Sequence, residues 1–136
     1  GRIPGRGALF ARFGEGDEAL AVVVAHLSLG PQARERQLGF IGELLNGHAN
    51  AVLMGDLNCA VDSPELVQLF KKTRLRPPHE PAPTFPSWRP RRAIDHILVS
   101  DSLELERLWT LPQAFSDHLP VAASVRLPSR TNAISF

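Results

Sequence analysis

Several short stretches of this 136-residue chain carry side chains able to do chemistry together. In Ala51-Val52-Leu53-Met54-Gly55-Asp56-Leu57-Asn58-Cys59, an apolar run stops in an acid and an amide. The run reads as a buried strand, and Gly55 lets the backbone turn as it leaves the core. In α/β proteins the carboxyl end of a strand is where loops project side chains into a crevice. Asp56 and Asn58 lie two residues apart and point the same way if strand geometry persists through Leu57. An anionic acceptor beside a neutral amide suits a site that holds a metal, or a water next to a phosphate. The same spacing also makes an ordinary turn, in which the side chains satisfy local backbone N–H groups.

Three further stretches offer partners. Ala19 to Ala25 is continuously apolar and ends in His26, which is either a packed rim residue or a base. Ala93 to Ser100 embeds Asp95-His96 in a frame of Ile94, Ile97, Leu98 and Val99. A carboxylate there is costly unless paired, so Asp95 needs a cationic or hydrogen-bonding partner. Asp117-His118 supplies the partner types. A buried Asp on a histidine ring N–H fixes the tautomer and stabilises the imidazolium, as general-base catalysis requires. Asp95 with His118 is the favoured pairing, and it leaves Asp117 as a hard oxygen ligand for Mg²⁺ or Mn²⁺. Spacing also permits Asp117 with His26.

These residues must be positioned by alternating strands and helices. Ala8 to Phe13 and Glu18 to Leu27 read as strands joined by Gly14-Glu15-Gly16-Asp17, a hairpin signal. Pro31 opens a helix in which Leu38, Ile41, Leu44 and Leu45 recur at helical spacing, with Arg34, Glu35 and Glu43 opposite and Gly47 at its end. With the strand Ala51 to Met54 this makes a βαβ-like unit, which if parallel brings His26 and Asp56 to one sheet edge. A second helix starts at Asp62 or Ser63 with Pro64 and Glu65 in its first turn; Leu66, Leu69 and Phe70 form its apolar side. From Pro77 to Pro90 the chain holds six of its 12 prolines and no periodicity, which predicts a long extended loop. Thr84, Phe85, Ser87, Trp88 and Arg89 in it could line a pocket, or Phe85 and Trp88 could simply pin it to the surface. Leu103 to Leu111 reads as a half-exposed strand with Leu103, Leu105, Trp109 and Leu111 on one face and Arg107 as the exception; Val121 to Arg126 is the last strand. Residues 128–136 lack pattern and read as a tail, leaving residues 1–127 as one domain.

Composition bounds the class. With 43% hydrophobic and 21% charged residues, this is an ordinary globular composition. No run approaches the ~18 apolar residues of a membrane span, and no basic-then-apolar leader opens the sequence. Location stays open, with the cytoplasm favoured. The single Cys59 excludes an internal disulfide and any multi-cysteine metal site; it is a small packed residue or, alternatively, a nucleophile. A net charge of +1 gives no general attraction to nucleic acid. Between Lys71 and Arg92, however, Lys71, Lys72, Arg74, Arg76, Arg89, Arg91 and Arg92 face only Glu80, an asymmetry that could guide a phosphate-bearing substrate.

Taken together the motifs resemble the endonuclease/exonuclease/phosphatase superfamily, over about Val22 to Val125. Val24-Ala25-His26-Leu27 is similar to its T-H-L strand end, Gly55-Asp56-Leu57-Asn58 to G-D-F/L-N, Ile94-Asp95-His96-Ile97-Leu98-Val99-Ser100 to I-D-Y/H-I-x-V-S, and Ser116-Asp117-His118-Leu119-Pro120-Val121 to S-D-H-x-P-V. Each is weak alone, but all four occur in the family's order. The resemblance implies an α/β protein: half of a four-layer α/β/β/α sandwich, with one mixed sheet flanked by helices. It implies a divalent-metal-dependent phosphoesterase using Mg²⁺ or Mn²⁺. His118, oriented by Asp95, would be the base or phosphate-contacting histidine. Asp117 and Asp56 would bind metal, and Asp56 would also activate water. Asn58 would hold the scissile phosphate, and His26 would stabilise the phosphorane or protonate the leaving oxygen. Thr84, Trp88 and Arg89 would face substrate.

One departure from the family pattern is large. The family's amino-terminal half normally supplies an asparagine and the main metal-binding glutamate, and nothing before His26 resembles either motif. The expectation is therefore a carboxyl-terminal fragment, inactive or nearly so alone. It would expose an apolar sheet face that self-associates or pairs with the missing half. Phosphodiester hydrolysis on DNA or RNA is the favoured activity. A phospholipid or small phosphoester substrate, or a non-catalytic remnant serving as an interaction module, is the alternative.

Overall fold

The computed structural model describes residues 5–113, 115–128 and 133–136, the side chains of 133–135 excepted. Strands β1 (Gly7–Phe13) and β2 (Leu20–His26) form an antiparallel hairpin whose connection includes a short helical turn at Gly16–Glu18. Helix α1 (Pro31–Leu45) leads to β3 (Asn50–Asp56), and α2 (Pro64–Lys72) leads to the two-residue β4 (Leu75–Arg76). Next come β5 (Asp95–Ser100), β6 (Glu104–Thr110), β7 (Val121–Arg126) and β8 (Ala133–Ser135).

Five strands make a mixed sheet in the order β1-β2-β3-β5-β4, in which only β2 and β3 run parallel. Strand alternation divides its side chains between two cores. Ala21, Val23, Ala51, Leu53 and Leu98 face α1 and α2, where Leu38, Ile41, Leu45, Leu66 and Leu69 cover them. Leu20, Val22, Val52, Ile97 and Val99 point the other way, against Leu103 just before β6 and Ala123 and Val125 of a second, three-stranded sheet β6-β7-β8. The fold is the expected mixed α/β class, with two refinements: among the described residues the helices lie on one face only, and part of the opposite face already carries a second sheet. At the β1 edge that face stays open, with Leu9 69% and Phe13 58% exposed beside exposed Val24. Among the described residues, no helix is long and apolar enough to cross a membrane.

Local expectations differ at four places. Arg34, read as part of the outer face of α1, is buried and pairs with buried Glu65 of α2 at 2.7 Å. Its spacing to Leu38, Ile41 and Leu45 puts it on the inward stripe, where only a partner makes a guanidinium tolerable. In β6 a bulge between Leu105 and Arg107 shifts the register, so Leu108 joins Leu105 at the second core. Arg107 then packs its guanidinium 4.3 Å from the Trp109 ring centroid. The predicted tail contains β8, and Phe136 exchanges backbone hydrogen bonds of 2.7 and 2.8 Å with Ala123. Finally, the cations between Lys71 and Arg92 do not form one face. Arg76 pairs with Val99 at the far end of β5 from Asp95, about 13 Å of strand away, and Arg74 is bound to Asp101 at 2.7 Å.

Candidate active site

The sheet register lines up three of the candidate residues. His26 at the end of β2 is the parallel partner of Asp56 at the end of β3, and Asp56 is the antiparallel partner of Asp95 at the start of β5. Directly paired residues share a face. This row therefore continues the stripes Val22, Val52 and Val99 out of the inter-sheet core to the partly exposed strand ends. The fourth residue, His118, enters from the segment just before β7. A separate groove of about 1410 Å³ runs between α1 and α2 on the other face and contains none of these side chains.

Asp56 divides its oxygens. Oδ1 accepts the Asn58 N–H at 3.0 Å, which is the local turn the sequence allowed, while Oδ2 lies 3.4 Å from His26 Nε2 and 3.8 Å from His118 Nε2. Asn58 takes the left-handed backbone at φ 53 and donates from Nδ2 to the Leu27 carbonyl at 2.7 Å. That bond uses one of the two amide protons and ties the turn to the end of β2. Gly55, at φ 134, lies so close to β2 that a Cβ on it would come within 2.0 Å of the Ala25 carbonyl oxygen.

His118 Nδ1 lies 2.6 Å from Asp95 Oδ2. Because a carboxylate only accepts, Nδ1 carries the proton, and in the neutral ring Nε2 holds the lone pair that faces Asp56. Burial draws the His118 pKa down, but the hydrogen bond and charge of Asp95, with Asp56 and Asp117 nearby, outweigh it; the net shift is upward. Phe85 covers the ring, with centroids 4.9 Å apart. His96, one residue on from Asp95, faces the helices instead and donates from Nε2 to the Cys59 carbonyl at 2.7 Å. Burial pushes its pKa down despite that bond, so it is a neutral strut. Burial likewise pushes the Cys59 thiol up, against its use as a nucleophile.

The remaining candidates divide. Asp117 is 62% exposed and sits at the rim, its Oδ1 4.0 Å from His118 Nε2. Trp88 is 76% exposed and Arg89 is also in solvent, both on the loop before β5. Thr84, expected to face substrate, is instead fully buried at 0% exposure, with its hydroxyl on Asp95 Oδ2 at 2.5 Å. Sequence reasoning also missed Arg6, which lies in a patternless glycine- and arginine-rich opening. Its Nη1 lies 3.4 Å from His26 Nδ1. A guanidinium only donates, so His26 Nδ1 accepts and Nε2 carries the ring proton.

Asp56, Asp95 and His118 each offer a donor atom within 4.8 Å of the others, the one such group among the described residues. Hard oxygens with an imidazole suit a divalent cation, and Asp56 Oδ2, committed only to imidazoles, is the best placed oxygen.

The profile of the endonuclease/exonuclease/phosphatase family matches residues 4–118. The chain belongs to this family. Several solved structures share its fold. A conserved protein of unknown function from Enterococcus faecalis is 24% identical with a TM-score of 0.73, over 92% of this chain and 59% of that one. The mannosyl-6-phosphatase of Bacteroides thetaiotaomicron is 23% identical, TM-score 0.66, over 79% and 51%. The inositol polyphosphate 5-phosphatase domain of SPsynaptojanin, solved with inositol (1,4)-bisphosphate and a calcium ion, is 19% identical, TM-score 0.68, over 93% and 53%. At such identities the likeness is one of fold. This member of the family thus spans between half and three-fifths of the length of these structures. No curated protein matches the chain.

Proposed function

We propose that this chain carries the acid–base half of a divalent-metal-dependent phosphoesterase. The observation that supports this most directly is the approach of His118 Nε2 to Asp56 Oδ2, 3.8 Å apart, with His118 Nδ1 held by Asp95. When the His118 ring is neutral, Nε2 and Oδ2 are two acceptors side by side, which a water or a cation can satisfy together. In this reading a water gives its proton to His118 Nε2 as its oxygen attacks phosphorus. The P–O ester bond opposite breaks, and the departing oxygen takes the proton on His26 Nε2. Arg6 keeps that proton on Nε2 by occupying Nδ1. Asn58, with one amide proton free, holds a phosphoryl oxygen. Mg²⁺ or Mn²⁺ on Asp56, with Asp117 at the rim, would supply Lewis-acid polarisation of the phosphoryl group.

Arg89 and Arg91, exposed on the loop before β5, favour a polyanionic substrate, and exposed Trp88 offers a ring for base stacking; DNA or RNA is therefore preferred over a small phosphoester. The open face at Leu9, Phe13 and Val24 is the place for a second copy or for the rest of a longer protein to pack. The deciding experiment measures Mg²⁺- and Mn²⁺-dependent hydrolysis of duplex DNA, abasic DNA, RNA and a chromogenic phosphodiester. It uses this chain beside any longer form of the protein, with Asp56→Asn and His118→Ala in each. Loss of turnover in both variants with the fold intact is expected. Near-normal rates in both would sink the assignment.

A further inference from the structure

The loop before β5 narrows to a tight hairpin: the N–H groups of Thr84 and Phe85 donate to the Arg92 carbonyl at 2.9 and 3.2 Å, and those of Arg91 and Arg92 donate back to the Phe85 carbonyl at 3.1 and 3.0 Å. Thr84 stands at the base of this hairpin. Each of its polar groups has a partner. Its N–H is held by Arg92, its carbonyl accepts the Leu119 N–H at 2.9 Å, and its hydroxyl reaches Asp95 Oδ2 at 2.5 Å. The hydroxyl must be the donor in that last bond, because an ionised carboxylate has no proton to give.

Asp95 Oδ2 thus receives two donors, the Thr84 hydroxyl and His118 Nδ1, at 2.5 and 2.6 Å. A carboxylate's terminal torsion is broad, so one bond to a histidine leaves its plane free to swing. A second donor from a fully buried, β-branched residue fixes it, since the threonine methyl restricts its own χ1. The same residue also grips the main chain at Leu119, directly after His118. We propose that Thr84 is the positioning residue of the Asp95–His118 pair, a single clamp that sets the carboxylate through its hydroxyl and the histidine's backbone through its carbonyl. The loop carrying exposed Trp88 and Arg89 is built on this clamp. Order in that loop and the direction of His118 Nε2 are therefore coupled through one side chain.

The test compares Thr84→Val, which keeps the shape and removes the hydroxyl, with Thr84→Ser, which keeps the hydroxyl. The first readout is the proton NMR signal of His118 Nδ1–H in this chain, found far downfield and assigned by its loss in His118→Gln. The signal is expected in the wild type and in Thr84→Ser, and lost or broadened in Thr84→Val while the amide spectrum stays folded. A signal equally sharp and unshifted in Thr84→Val would overturn the proposal, as would its loss in folded Thr84→Ser. If Thr84→Val does not fold, Thr84→Cys, a weak donor of similar size, takes its place: a lost or broadened signal supports the clamp, and a sharp, unshifted one overturns it. The second readout rests on the phosphoesterase reading: kcat should fall roughly 10- to 100-fold in Thr84→Val at little-changed KM, with most recovered in Thr84→Ser. Equal losses in both, or a change confined to KM, would refute the clamp. Inactivity of the wild-type longer form on every substrate would defeat the phosphoesterase reading, and the NMR signal would still decide Thr84.

Discussion

Replacing Arg34 by methionine should cost about 3–5 kcal/mol of folding stability, the usual penalty for stripping one partner from a buried ion pair. Arg34 Nε and Nη2 both reach Glu65 Oε1 at 2.7 Å, and Nη1 donates to the Leu29 carbonyl and, at 3.4 Å, to that of Ser28. One guanidinium therefore ties α1 to α2 and both to the turn that follows His26. Its removal leaves a buried carboxylate without its cation. Against a total stability of about 5–15 kcal/mol, that is a large fraction. With a urea slope of about 1.5–2 kcal/mol/M, the midpoint should fall by roughly 1.5–3 M. Glu65→Gln should cost less, because an amide oxygen still accepts from Arg34. The double variant Arg34→Met/Glu65→Leu should regain most of the loss, since an apolar pair of similar volume replaces a buried charge pair at little or no cost. Urea denaturation followed by circular dichroism measures all three. A loss of under about 1 kcal/mol for Arg34→Met, the value of an exposed pair, would refute the buried-pair reasoning.

Three further outcomes follow from the site. Gly55→Ala places a methyl 2.0 Å from the Ala25 carbonyl oxygen, a backbone atom that cannot swing aside, so it should strongly destabilise the fold and separate β3 from β2 beside Asp56; a melting temperature within a few degrees of wild type would contradict this. The raised His118 pKa means that its contribution to stability is fully present below the unfolded value of about 6.5 and drains away as pH rises through the folded value. The stability gap between wild type and His118→Gln should accordingly narrow with rising pH, and a widening gap would count against the pairing. His96 behaves oppositely. Its lowered pKa makes its contribution present above about 6.5 and lost as pH falls towards the folded value, so His96→Gln should blunt the acid sensitivity that wild type shows in urea titrations.

By itself the sequence determined the elements and the chemistry at their ends. Continuous apolar runs ending in His26 and Asp56, joined by a helix with inward spacing, specify a parallel βαβ unit, and that unit places both residues at one sheet edge. Motif order identified the family. Arg34 was within reach too, since its spacing to Leu38, Ile41 and Leu45 marks it as inward, but charge alone argued for the surface. Only tertiary structure could supply Glu65 as the partner that makes burial tolerable. The bulge in β6 reversed which residues face the core, because inserting one residue flips a period of two. Strand β8 exists through pairing with β7 rather than through any pattern of its own. Thr84 and Arg6 are the clearest cases: a threonine in a proline-rich loop, read as facing substrate, and an arginine in a glycine-rich opening carry no local signal of the contacts they make. Their positions on Asp95 and His26 arise from contacts across 11 and 20 residues, which no window of local periodicity encodes.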